Sequence, residues 1–263
     1  MSWSEVGAGV FVRRYAELDL SVGLVVGAES ALVIDTRGDH VQGAELAGAV
    51  RQVTPLPWQV AITHGHFDHC FGTDAFLPAD VWAHERCPAH LARTADQQRD
   101  WWVAHYRQEG ADDTAAALAA SVPVMPDHLV SERADLDLGG RTAQLRYLGL
   151  GHTDHDLVVA VPDAGVVFAG DLVEQGAPPD FEDAHPQQWP TTVDALLALD
   201  PTTVVAGHGS PVAPDFVRAQ RAELAELAAV CRRHRDGMLS WEQSVRQSPF
   251  PTETFRTALS RTL

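Results

Sequence analysis

Apolar residues along this chain come in short blocks broken by glycine, proline and polar turns, and between the blocks lie stretches where they recur every three or four positions. The short blocks at 9–13, 20–26 and 31–35 predict strands. Residues 40–53 have the amphipathic spacing of a helix, which Pro55 and Pro57 end before another apolar strand at 58–62. A strand at 81–84 follows. From 87 to 121 the composition turns helical, with Trp102 and Tyr106 four apart on one face, and Pro123 and Pro126 close the segment. Strands are predicted at 142–148, 156–161, 166–169 and 203–206, and a helix at 191–199. A long helix at 215–235 puts Leu224, Leu227 and Cys231 on one face and ends on Arg232, Arg233, Arg235 and Gly237. Ser240 and Gln243 have capping-box spacing for one more helix. The expected organisation is one α/β domain over 1–263, with a helical insertion at 87–125 and C-terminal helices over 213–263 packed on it.

Composition narrows the function classes. A chain of 263 residues with 45% hydrophobic and 21% charged content can bury a large core. Its formal charge of −17 argues against a nucleic-acid partner, which needs clustered basic residues. All 19 basic residues are arginine, so lysine chemistry is excluded and anion recognition falls to Arg. The three cysteines form no C-x-x-C pair, and 20–34, the most apolar early stretch, is interrupted by Glu29 and too short to span a bilayer. With no secretory pattern at the N-terminus, the expectation is a cytoplasmic protein without a membrane partner, for which a homodimer is compatible.

The densest chemistry is in Thr63-His64-Gly65-His66-Phe67-Asp68-His69, directly after the 58–62 strand. Imidazole nitrogens and a carboxylate at this spacing suit zinc and its borderline neighbours. His64 and His66 can project from one turn, and Asp68 and His69 can aim at a second ion. Four more polar residues stand at predicted strand ends: Asp35, His152, Asp171 and His208, the last three each preceded by glycine.

In this order, Asp, H-x-H-x-D-H, Gly-His-Thr, Gly-Asp and Gly-His-Gly, the motifs resemble those of the metallo-β-lactamase superfamily over about 10–212. The resemblance implies an αββα sandwich: two face-to-face sheets with helices outside and metals at one edge. It implies that His64, His66 and His152 hold a first divalent ion, that Asp68, His69 and His208 hold a second, and that Asp171 bridges them. Zinc is expected, with iron or manganese also compatible. Asp35 is implied to brace the histidine loop. The implied chemistry is hydrolysis, a hydroxide between the metals attacking a polarised carbonyl, with Asp68 also relaying a proton.

Asp171 bears on the substrate. Zinc β-lactamases commonly have Cys there or no bridging side chain, whereas a bridging Asp is typical of glyoxalase II-like thioesterases and homoserine-lactone lactonases. A small ester, thioester or lactone is therefore the expected substrate, with β-lactam hydrolysis as the alternative. An iron-dependent sulfur oxygenase resembling persulfide dioxygenases is the alternative from another class. His155 either orients the ligands beside it or transfers a proton, or it is a surface imidazole hydrogen-bonded to its own loop. Cys70 reads as a small buried filler. Trp101, Trp102 and Tyr106 on the insertion are the candidates for substrate contact.

Overall fold

The computed structural model describes residues 2–262. Seven strands form one sheet in chain order: β1 (Ser4–Gly7), β2 (Val10–Arg14), β3 (Ser21–Val26), β4 (Ala31–Ile34), β5 (Trp58–Ala61), β6 (Val81–His84) and β7 (His128–Val130). Its first four strands are antiparallel, and β4 to β7 run parallel. The second sheet has the order β12-β11-β10-β9-β8, built from β8 (Arg133–Asp137), β9 (Thr142–Tyr147), β10 (Leu157–Val161), β11 (Val166–Glu174) and β12 (Thr203–His208). Only β11 and β12 are parallel in it.

Period-two alternation explains why two sheets stack and why both outer faces carry helices. Leu32 and Ile34 of β4 share a core with Leu157, Val159 and Val161 of β10, between the sheets. Their neighbours Ala31 and Val33 face Leu46 and Val50 of α1 (His40–Val53) on one outer side. Val158 and Ala160 face Val193 and Leu196 of α5 (Trp189–Leu197) and Leu224 and Leu227 of α6 (Pro214–Arg235) on the other. Burying each such valine or leucine contributes ~1.5–3 kcal/mol. At Gly23 a Cβ would overlap the ring of Phe168, so glycine in β3 lets β11 press directly against the first sheet.

Local chemistry sets several boundaries. Asp39 starts α1 by accepting from the amides of Val41 and Gln42, 2.8 Å each. The Ser240–Gln243 capping box is present at α7 (Trp241–Gln247), followed by α8 (Thr252–Ser260). Within the first half lie the one-turn α2 (Phe67–Cys70), the long α3 (Cys87–Gln108) and α4 (Asp112–Ala120). The architecture is an αββα sandwich with added helical segments. No helix among the described residues is long and apolar enough to cross a membrane.

Two predicted strands end too early. The 166–169 strand runs to Glu174 as β11, and the 203–206 strand reaches His208 as β12. Asp171 and His208 therefore lie within strands rather than after them. Ladder pairing continues past Gly170 because the register shifts on either side of it, a bulge that apolar patterning does not reveal. The edge strands β1, β7 and β8 were also not predicted, since their short, polar-rich runs carry little alternation.

Candidate metal centre

Parallel pairing at one end of the sandwich assembles the polar residues. Ile34 of β4 is opposite Ala61 of β5, so Asp35 and Thr63 leave the sheet side by side. Asp35 adopts a left-handed backbone (φ 62°), and its carboxylate accepts from the Thr63 amide, the Thr63 hydroxyl and Nδ1 of His69, 2.8 Å each. In the second sheet, Gly170 has φ 52° and sits against Thr63, while a Cβ on Gly207 would strike the Asp171 carboxylate. Glycine at these two positions lets Asp171 and His208 approach the histidine loop.

Five imidazoles converge with their outer nitrogens already engaged. Nδ1 of His64 faces the Thr63 hydroxyl at 3.1 Å, and Nδ1 of His152 faces the Asp180 carbonyl at 3.3 Å. Nε2 of His66 faces Asp183 at 3.3 Å, and Nδ1 of His208 faces the Leu18 carbonyl at 2.7 Å. Each of these bonds uses the ring proton and leaves the inner nitrogen as a lone-pair donor. The inner nitrogens crowd together: His66 Nδ1 is 3.1 Å from His64 Nε2 and 3.0 Å from His152 Nε2, and His69 Nε2 is 3.4 Å from His208 Nε2.

Two groups of donor atoms are each compact enough for one ion: His64, His66, His152 and Asp171; and Asp68, His69 and His208. Asp171 also reaches the second group, 3.3 Å from His69 Nε2 and 3.2 Å from His208 Nε2. Its Oδ1 is buried without a hydrogen bond, the condition of an oxygen that lacks its cation. The donor set suits a pair of divalent ions, mixed nitrogen and oxygen with lone pairs facing inward.

Electrostatics differ between the two groups. Burial pushes His152 down to about 3 and His64 well below its usual range, helped there by His69, so these two imidazoles of the first group are held neutral, while at His66 the Asp183 hydrogen bond and nearby carboxylates outweigh burial and raise it. Burial also opposes charge on His69 and His208, yet Asp171 and Asp68 outweigh it, carrying His69 well above its usual value and His208 up to about 10. Carboxylates there call for positive charge, which a divalent ion would supply in place of protons.

All seven predicted ligand residues meet at this site, with Asp35 directly behind them. His155 is fully buried, and its Nε2 accepts from the Gly65 amide at 3.0 Å, which ties down the turn between His64 and His66. It is not a surface imidazole. Cys70 is buried, with its thiol donating to the His66 carbonyl. Trp101 and Trp102 line a cleft of about 620 Å³ that opens on His66, Asp68, Asp171 and His208. Tyr106 does not line that cleft; it is buried, and its hydroxyl donates to Glu17 at 2.6 Å.

Three contributors carried no sequence signal. Gln98 of α3 clamps the histidine loop, accepting from the Phe67 amide at 2.8 Å and donating to the Gly65 carbonyl at 3.0 Å. Asp183 orients His66 from an irregular acidic loop. Glu174 lies in the cleft wall, pushed up to about 8 by burial and by Asp171. Gln98 and Asp183 act across long sequence separations, and none of the three has a motif of its own.

A sequence profile of the metallo-β-lactamase superfamily matches residues 17–208. Among individual relatives, the metallo-β-lactamase type 2 of Bacteroides fragilis is 31% identical over 90 residues, covering 32% of this chain and 36% of that protein. The metallo-β-lactamase type 2 of Bacillus cereus is 25% identical over 196 residues, 72% and 67% of the two chains. The hydroxyacylglutathione hydrolase of Rhodobacter capsulatus is 31% identical over 169 residues, 62% and 54%. This chain thus spans between about a third and two thirds of the length of these relatives. A solved metallo-β-lactamase from Pontibacter korlensis superposes with a TM-score of 0.66 at 20% identity, over 85% of this chain and 98% of that one.

Proposed function

Because the chain belongs to the metallo-β-lactamase superfamily, we propose that its two His/Asp groups hold a pair of divalent metal ions and that it hydrolyses an acyl bond there. The observation that carries this reading is the inward turn of five imidazole lone pairs around the unpartnered Asp171 oxygen. His64, His66 and His152 are assigned to one ion, Asp68, His69 and His208 to the other, and Asp171 to both. When bound, the ions would supply a water nucleophile at neutral pH and polarise the scissile carbonyl.

The chain's own residues do the rest. Asp35, Thr63, Asp183 and the Leu18 and Asp180 carbonyls hold the imidazoles in one tautomer each. His155 and Gln98 hold the loop that carries them. Asp68 lines the cleft with one oxygen 3.4 Å from His208, placed to take up a proton and pass it to a leaving group. Trp101 and Trp102 form the aromatic wall of the cleft.

A β-lactam is the substrate class that the similar proteins favour, since two of the three relatives compared above are metallo-β-lactamases. It therefore ranks above the ester, thioester and lactone class expected from the sequence. One observation favours that second class: residue 171 is a carboxylate between the two donor groups, in line with the likeness to the Rhodobacter capsulatus hydrolase. Zinc-loaded protein assayed in parallel on a chromogenic cephalosporin and a simple thioester separates the two. A kcat/KM of about 10⁴ M⁻¹s⁻¹ or more on the cephalosporin supports lactam cleavage. Turnover of the thioester alone reverses the order, and no turnover of any acyl compound removes the hydrolase reading.

A further inference from the structure

The cleft beside the donor groups is walled by acids and aromatic rings. The chain carries 19 arginines, yet no arginine lines the cleft. Beyond the candidate metal ligands its wall includes Asp180, Glu182 and Asp183 from one loop and Trp101 and Trp102 from α3. Asp183 bonds to His66 and also feels Arg261, but among the described residues Asp180 and Glu182 have no ion-pair partner. Asp19, also on the wall, is already neutralised by Arg14 at 2.6 Å.

The aromatic wall is independent of these acids. Trp101 is 57% exposed, an unusual placement for so large an apolar ring. It stacks on His105 with centroids 5.3 Å apart and planes at 11°, and meets Trp102 edge to face at 4.8 Å. Trp102 is held in turn by Phe67 at 4.5 Å. A braced, exposed indole presents its electron-rich face to whatever enters, and such faces attract cations. At the inner end, the unpartnered Asp171 oxygen marks where the reacting group would meet positive charge.

Building on the reading of this cleft as the substrate site, we propose that the acyl substrate carries a cationic group, a quaternary or protonated amine, held between Trp101 and the Asp180–Glu182 loop. A carboxylate-bearing substrate would meet Asp180 and Glu182, which no arginine pairs, and like charges at this range repel. An electron-rich carbonyl at the metal end and a cation at the outer end match the polarity of the cleft.

The test is a matched set of chromogenic acyl esters and thioesters differing only in the remote terminus: trimethylammonium, its neutral tert-butyl isostere, or carboxylate. The trimethylammonium compound is expected to show a kcat/KM about tenfold above the tert-butyl one, with the carboxylate lowest. Trp101→Leu, and separately Asp180→Asn with Glu182→Gln, should draw that ratio towards unity. Equal rates for the three termini, or preference for the carboxylate, would overturn the proposal while leaving the hydrolase reading intact. Indole fluorescence of the zinc-loaded protein, titrated with phenyltrimethylammonium and with neutral tert-butylbenzene, gives a second readout. Selective cation binding without turnover of any ester would support the cation site and count against the hydrolase reading.

Discussion

Oδ2 of Asp35 accepts a 2.8 Å hydrogen bond from Nδ1 of His69, and this contact turns the other nitrogen of His69 towards Asp171, 3.3 Å away. The same carboxylate also bonds the Thr63 hydroxyl, which in turn faces His64. One buried acid therefore orients an imidazole in each donor group.

Asp35→Asn keeps the size of the side chain but weakens its power to accept from His69 and Thr63. Metal affinity, read by competition with a chromogenic chelator, is expected to fall about 10–100-fold, with the circular dichroism of the wild type retained. Unchanged affinity would show that the contact does not set the His69 tautomer.

Metal content tests the ligand assignment directly. Zinc-reconstituted wild type is expected to bind about two ions per chain, and His152→Ala or Asp171→Asn fewer, with turnover lost and the fold kept. Wild-type rates in His152→Ala would sink the assignment. A native content of one iron per chain would instead favour the sulfur oxygenase alternative.

Gln98 joins α3 to the histidine loop through its bonds to Gly65 and Phe67. Gln98→Leu strands a loop amide and a carbonyl, which is expected to cost ~1–3 kcal/mol. A lower urea midpoint accompanied by weaker metal binding is the expected result. A shift in stability with no change in metal affinity would confine Gln98 to a structural role.

His84 gives a pH signature away from the donor groups. It is buried against the Tyr147 ring with centroids 4.2 Å apart, and burial, then Arg86, pushes it down to about 4. In the unfolded chain it protonates near its ordinary value, about 6.5. The unfolded state therefore binds more protons between those two values. The contribution is fully present above about pH 6.5 and is lost as pH falls towards 4. Urea midpoints at pH 7 and pH 5 are expected to differ less in His84→Gln than in the wild type. Equal differences in the two proteins would rule His84 out as a source of acid sensitivity.

Much of the architecture was legible because burial on both sheet faces makes the central strands read as short continuous apolar runs. The ligand residues were legible because all seven lie beside glycine or within one short motif, where coordination geometry demands particular side chains at particular spacing. The extent of β11 was not, since a bulge at Gly170 interrupts the pattern that would announce it. His155 looked like a loop residue because nothing local shows that the Gly65 amide, 90 residues earlier, needs an acceptor.

By itself the sequence determined the chemical inventory: which strands are buried, which donors stand at their ends, and that the chain has no lysine and a formal charge of −17. Those properties are local or additive, so they can be read from order and composition. Only tertiary structure decided which oxygen orients each imidazole, that Gln98 and Asp183 serve the same loop, and that Trp101 faces a cleft free of arginine while Tyr106 turns away to Glu17. These depend on hydrogen bonds and packing between distant segments, whose partners exist only once the two sheets have closed on each other.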